Sequence, residues 1–213
     1  MGNIARIPPV FCLAARTAAR LVFASSWTTI LCMKLLTIGH SNQPLEKLIR
    51  LLEENGVMTL VDVRSAPFSR YNPQFNQESL ERELPLRGIQ YAFAGKFLGG
   101  RPTDPTCYKS RTLPAEGADY LHEVDYPDVM KREWFVKGIQ RLLEMADEQT
   151  TAIMCSEENP AQCHRHHLVA KYLMREYPEV KVQHIRGDGS VFGAASILDS
   201  VDKQEEAEQP SLF

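Results

Sequence analysis

Five short apolar runs, at 35–38, 58–63, 89–93, 151–155 and 180–185, punctuate the chain, and stretches with helical spacing lie between most of them. This alternation constrains the fold more than any other feature. After the first run, Pro44 stands at the start of a stretch in which Leu45, Leu48, Ile49, Leu51 and Leu52 recur on one face. Ser41 or Asn42 can cap that helix, and Asn55 with Gly56 closes it. Two strands joined by such a helix predict a right-handed crossover and parallel pairing. Further helices are expected over 78–87, over 129–145 with Trp134, Phe135, Ile139, Leu142 and Leu143 inward, and over 160–176. The pattern therefore predicts a three-layer α/β domain with a mainly parallel sheet.

The 213 residues, 44% hydrophobic and 24% charged, suit one domain, expected over 33–198. The first 32 residues differ from the rest, with three arginines, no acid and an Ala/Ser/Thr-rich composition. They are read as an atypical leader outside the native domain, with Met33 opening the fold. Residues 199–213 carry five acids and one lysine and are expected to form a disordered acidic tail. A net charge of -3 gives no strong global pull towards nucleic acid or an anionic membrane, and no apolar run is long enough to span a bilayer. Charge is uneven, however: residues 64–111 hold eight basic residues against four acidic ones. Solvated loops account for this excess, and so does a cationic wall beside an anionic substrate. Five cysteines, an odd number in a chain long enough to need no staples, point to a reducing compartment, taken as cytoplasmic, and to thiol or metal chemistry.

The densest chemistry lies in Cys155-Ser-Glu-Glu-Asn-Pro-Ala-Gln-Cys163-His164-Arg165, between a strand and a helix. Polar residues also follow the other strands, as His40 and Ser41, as Asp62 and Arg64, and as His184 and Arg186. In a parallel sheet these ends share one edge, where ligands bind. A strand, a cysteine and a helix in that order also describe a phosphatase-type nucleophile loop. Here Glu157 and Glu158 intervene before the first arginine, and carboxylates repel an anion and raise a thiol pKa. With Asn159 as cap and Pro160 at the first helical position, Cys163 would fall in the first two turns of a helix. There the positive helix end would favour a thiolate, and His164 and Arg165 could meet an anion. A zinc site assembled from Cys155, Cys163 and His164 or His167, with His40 from outside, is a further option. His40 can move protons or simply face solvent in its turn. Asp62 and Arg64, two apart on one strand face, are either a structural ion pair or an arginine with its orienting carboxylate. Gly99 and Gly100 offer backbone amides beside Arg101, or only a turn.

Taken together, Thr37-Ile-Gly-His-Ser41, Val61-Asp-Val-Arg64, the stretch from Pro67 through Ser69 to Asn72-Pro-Gln-Phe75, Leu98-Gly-Gly100, and Cys155-x-Glu157 with Cys163-His-Arg165 resemble the domain of unknown function family numbered 488. The resemblance covers roughly residues 33 to 190. It implies a Rossmann-like domain and a polar site at these positions, and it brings no reaction, substrate or cofactor.

The sequence therefore predicts an enzyme with an anionic substrate, a nucleotide or nucleic-acid end for example. His40, Cys155, Glu157, Cys163 and His164 form its catalytic set, and Ser41, Asp62, Arg64, Gly99, Gly100 and Arg165 its binding set. A thiol or metal sensor, for zinc or iron, and a nucleic-acid binding module using the basic stretch are the alternatives. The sequence leaves metal content, cofactor and oligomeric state open.

Overall fold

All five apolar runs are strands. The computed structural model describes residues 33–115 and 117–197; the expected leader and the expected acidic tail lie outside the described residues. The chain runs β1 (Lys34–Gly39), α1 (Leu45–Glu54), β2 (Thr59–Asp62), α2 (Gln77–Glu83), β3 (Gln90–Phe93) and α3 (Gly95–Leu98). It continues through α4 (Tyr120–Glu123), α5 (Tyr126–Val129), α6 (Glu133–Glu148), β4 (Thr151–Cys155), α7 (Lys171–Glu176), β5 (Lys181–Ile185) and β6 (Val191–Gly193). The sheet has six strands in the order β3-β2-β4-β1-β5-β6. The first five strands pair in parallel, and β6 adds an antiparallel edge to β5. The short run of β6 carries no strand signal in the sequence, because only three residues pair and none is buried.

Two apolar layers sandwich the sheet. Leu36, Ile38, Leu60, Ala152 and Met154 pack against α1 and against Phe75, Leu80 and Leu84. Leu35, Val61, Val63, Ile153 and Cys155 face the other way, onto Leu98, Phe135, Ile139, Leu142, Leu168 and Leu173. This strict alternation is the period-two geometry of a strand buried on both sides. The result is a mixed α/β, three-layer, Rossmann-like fold. Among the described residues no helix is long and apolar enough to cross a membrane.

Three local expectations change. Pro44 itself precedes α1 in an extended conformation, and neither Ser41 nor Asn42 caps the helix. Ser41 instead takes a left-handed φ of 50°, and its N–H donates to the Ser156 carbonyl at 2.8 Å. The helix expected from 129 starts at Glu133, after the short α5. The helix expected over 160–176 is broken. Pro160 opens only a single 3-10 turn, with the Asn159 side chain accepting from the Ala161 N–H at 3.1 Å. Cys163 then returns to an extended conformation (φ −141°, ψ 139°), and its carbonyl starts a new helix by accepting from the His166 N–H at 3.0 Å. The first turns of that helix, Arg165–Ala170, are π-wide before α7 continues it, a widening frequent at functional sites. Cys163 is thus the hinge between a turn and a helix, not a residue inside a helix.

Candidate functional site

The carboxyl ends of β2, β4 and β1 lie side by side, as parallel pairing requires. Alternation of side chains nevertheless divides their polar residues into two groups. His40, Asp62 and Arg64 point to the α1 and α2 side, where the His40 ring stacks on Phe75 with centroids 4.3 Å apart. Cys155 points to the α6 and α7 side.

The first group is almost fully hydrogen-bonded within itself. Arg64 grips Asp62 through Nε (2.9 Å) and Nη2 (2.5 Å), and Nη2 also donates to the Phe75 carbonyl at 2.7 Å. Tyr91 donates its hydroxyl to Asp62 at 2.9 Å, and burial raises the pKa of that phenol. His40 Nδ1 lies 2.6 Å from the Ser41 carbonyl, which can only accept, so Nδ1 carries the proton. His40 Nε2 is then a bare acceptor for Arg64 Nη1 at 3.1 Å. Burial holds His40 neutral, with its pKa lowered to about 4 despite the Ser41 bond. Both ring nitrogens have partners inside the protein. Of the five guanidinium N–H bonds of Arg64, one on Nη1 is left over, and Arg64 lines the cavity described next.

The second group has lone pairs to spare. His164 Nε2 lies 3.0 Å from the Val63 carbonyl, so it carries a proton, and Nδ1 is turned towards two sulfurs. Nδ1 is 3.4 Å from Cys155 Sγ and 4.0 Å from Cys163 Sγ. The ring can enter because Gly100 has no side chain; a Cβ there would lie 2.6 Å from His164 Cγ. The thiols are unequal. Hydrogen bonding to Cys163 and burial raise the Cys155 pKa. Burial opposes ionisation of Cys163 too, but the hydrogen bond it receives from Cys155 pulls its pKa down. The pair therefore favours a thiolate on Cys163 that receives the Cys155 S–H. These three residues line a solvent-open cavity of about 610 Å³. Its walls also carry Arg64, Phe68, Arg101, Tyr120, Tyr126 and Glu157.

The loop between the two cysteines is strapped from beneath. Arg165 is fully buried and donates to the carbonyls of Glu157 and Glu158, the latter at 2.7 Å. Its Nε–H reaches Thr37 Oγ1 at 3.3 Å. Thr37 in turn donates to His184 Nδ1 at 2.7 Å, and His184 Nε2 to His166 Nδ1 at 3.1 Å. The chain ends on His166 Nε2, which is buried and has no hydrogen-bond partner among the described residues. Burial lowers both imidazoles to about 3. From the β5 end, Arg186 pairs with the Glu158 carboxylate at 2.6 Å. Gly39 lets the loop sit this close: a Cβ there would lie 1.8 Å from the Glu157 carbonyl oxygen.

Of the residues singled out from the sequence, Cys155, Glu157, Cys163, His164, Arg64 and Gly100 reach the cavity wall. His40, Ser41, Asp62, Gly99 and Arg165 do not. The physical reason is that their polar atoms or backbone are committed inside. His40 bonds Ser41 and Arg64, Asp62 holds Arg64, and Arg165 holds two loop carbonyls. Gly99 packs by its backbone, where a Cβ would meet Ser65 Oγ at 2.4 Å. Neither suggested outer metal ligand joins the sulfurs: His167 Nε2 donates to the Ala161 carbonyl at 2.7 Å, and His40 is on the other face. Sequence reasoning missed Tyr120 and Tyr126, which come from a segment with no periodic signal. It gave Arg101 only a minor place; in the fold the guanidinium lies 4.5 Å from the Tyr120 ring centroid, at the cavity wall.

Comparison with known families now adds one decisive observation. A family model described as a domain of unknown function, DUF488, matches residues 44–173, more than half of the chain. The chain belongs to this family. The matched residues include Asp62 and Arg64 and the Cys155, Cys163 and His164 cluster, and begin after His40. No curated protein and no solved structure matches the chain.

Proposed function

We propose that this DUF488 protein is an enzyme whose reaction centre is the Cys155, Cys163 and His164 cluster and whose substrate is a small anion. One observation carries the reading: three chemically reactive side chains from one loop converge on the wall of an open cavity, while the neighbouring polar group keeps back only one N–H, on Arg64. The spare N–H of Arg64 and the exposed Arg101 supply the cationic contacts for the anionic part. Exposed Glu157, on the same wall, is a carboxylate available for proton transfer; Asp119, also on the wall, pairs with His122. Tyr126 places a phenol beside the sulfurs, with its pKa raised by burial and by both cysteines.

The test pairs a charged with a neutral thiol reagent. Iodoacetate should modify Cys155 or Cys163 faster than iodoacetamide does, relative to a free thiol, and Arg101→Ala should erase that preference. A parallel screen of nucleotides and phosphate esters should show turnover that Cys163→Ala abolishes. Equal capture of both reagents together with no turnover in the screen would remove this reading.

A further inference from the structure

The same three side chains have a property that a reactive thiol alone does not need. A thiol nucleophile needs one sulfur and one base. Here two sulfurs and one bare imidazole nitrogen face a common point, with all three ligand atoms within 4.8 Å of one another. We infer that Cys155, Cys163 and His164 form a three-ligand site for a thiophilic divalent cation of the zinc class, with a fourth coordination position open to the cavity. This rests on the reading of the cavity as the reaction site and names the cofactor class it would use.

Three features carry it. The distances suit the ion: zinc bonds of about 2.3 Å to sulfur and 2.0–2.1 Å to nitrogen, at tetrahedral angles, separate sulfur and nitrogen by roughly 3.5 Å. The observed separations are 3.4 and 4.0 Å. The tautomer suits it as well. The Val63 carbonyl fixes the proton on His164 Nε2 and leaves Nδ1 as the ligand, the outer contact typical of metal-bound histidines. The ligands are also held by rigid elements. Cys155 ends a fully buried strand, and Cys163 and His164 open the helix. Arg165 and Arg186 pin the loop between them. Two sulfurs and one nitrogen form the donor set of a catalytic rather than a structural zinc site, because a structural site is closed by a fourth protein ligand. Among the described residues no other group of three such donors is gathered. An ion here would present its free position to a water or to the anionic end of the substrate, the arrangement in which a metal polarises a bound oxygen.

The experiment uses the full chain, purified under reducing conditions, and two metals. Elemental analysis after growth with zinc should find about one zinc per chain. Cobalt(II) added to stripped protein should give the intense near-ultraviolet band of thiolate-to-metal charge transfer. Cys155→Ser, Cys163→Ser and His164→Ala should each lose the ion, whereas Cys107→Ser and His167→Gln should keep it. If a ligand variant fails to fold, the native protein still decides the matter: zinc should slow alkylation of Cys155 and Cys163 by iodoacetamide at least tenfold. Native protein that takes up neither metal, or zinc that leaves both alkylation rates unchanged, overturns the site. The two readings fail separately. Loss of zinc binding with the iodoacetate preference intact leaves a metal-free thiol centre, and zinc binding without that preference leaves a metal site and removes the anionic substrate.

Discussion

Two polar clusters sit a few residues apart at one end of the sheet, and they behave oppositely. On the α1 face, His40, Asp62, Arg64 and Tyr91 consume nearly all of one another's hydrogen-bonding capacity in a buried network. On the α7 face, Cys155, Cys163 and His164 keep an imidazole nitrogen and two sulfurs turned towards each other on an open wall. Both contain residue types that do chemistry. The difference lies in what is left unsatisfied: a nearly saturated network supports a fold, whereas a cluster with spare lone pairs has something to offer a ligand.

The sharpest way to break this contrast is Asp62→Ala. It leaves Arg64 charged and only 4% exposed without its counter-ion, and should destabilise the fold by about 3–5 kcal/mol. Urea unfolding measures this, and a loss below about 1 kcal/mol would mean the network is not structural. Acid comes next. The folded protein holds His40 at about 4 against an ordinary 6.5, so the unfolded chain binds more protons between those values. Stability should therefore be fully present above pH 6.5 and fall as the pH drops towards 4, by roughly 3 kcal/mol from this residue. Burial holds His166 and His184 at about 3, so they add to the loss from pH 6.5 downwards and carry it on to about pH 3. Unfolding curves across that range should show the decline, and His40→Gln should make it shallower between pH 6.5 and 4; an unchanged slope in that variant would show that His40 is not buried neutral.

A smaller effect is expected at the open cluster. Cys163→Ser should cost about 1–2 kcal/mol or less, while abolishing the alkylation and metal behaviour assigned to the site. A larger loss would move Cys163 into the scaffold class. Smallest is Arg101→Ala. Its guanidinium over Tyr120 is exposed, so stability should change by about 0.5–1 kcal/mol, while the preference for an anionic reagent disappears. Retention of that preference would shift the anion contact to Arg64.

Much of the fold was legible because its signals are local. Leu45, Leu48, Ile49 and Leu52 share a helical face whatever the rest of the chain does, and five apolar runs with intervening helices leave few topologies other than a parallel sheet. The segment from Cys155 to Arg165 was legible as a place, since a strand end dense in polar residues has few other uses. What each residue does there was not. Arg165 looked like an anion ligand because it follows Cys163 and His164, yet a wider helical turn swings it under the loop to hold the carbonyls of Glu157 and Glu158. The break at Cys163 was hidden because Asn159 and Pro160 form a good helix start, and nothing local reveals that the turn stops after Gln162. Tyr126 and Arg101 reach the cavity from a segment whose path depends on packing against α6 rather than on its own pattern.

By itself the sequence determined which segments are strands and helices, that the strands run parallel, and that their polar carboxyl ends share an edge, because hydrophobic period and crossover handedness are properties of the chain alone. Only the tertiary structure decided that His40 and Arg64 lie on one side of the sheet and Cys155 on the other, and that His164 rather than His40 or His167 meets the sulfurs. That choice rests on contacts between residues as far apart as Val63 and His164, or Gly100 and His164, and on which donors those contacts leave free.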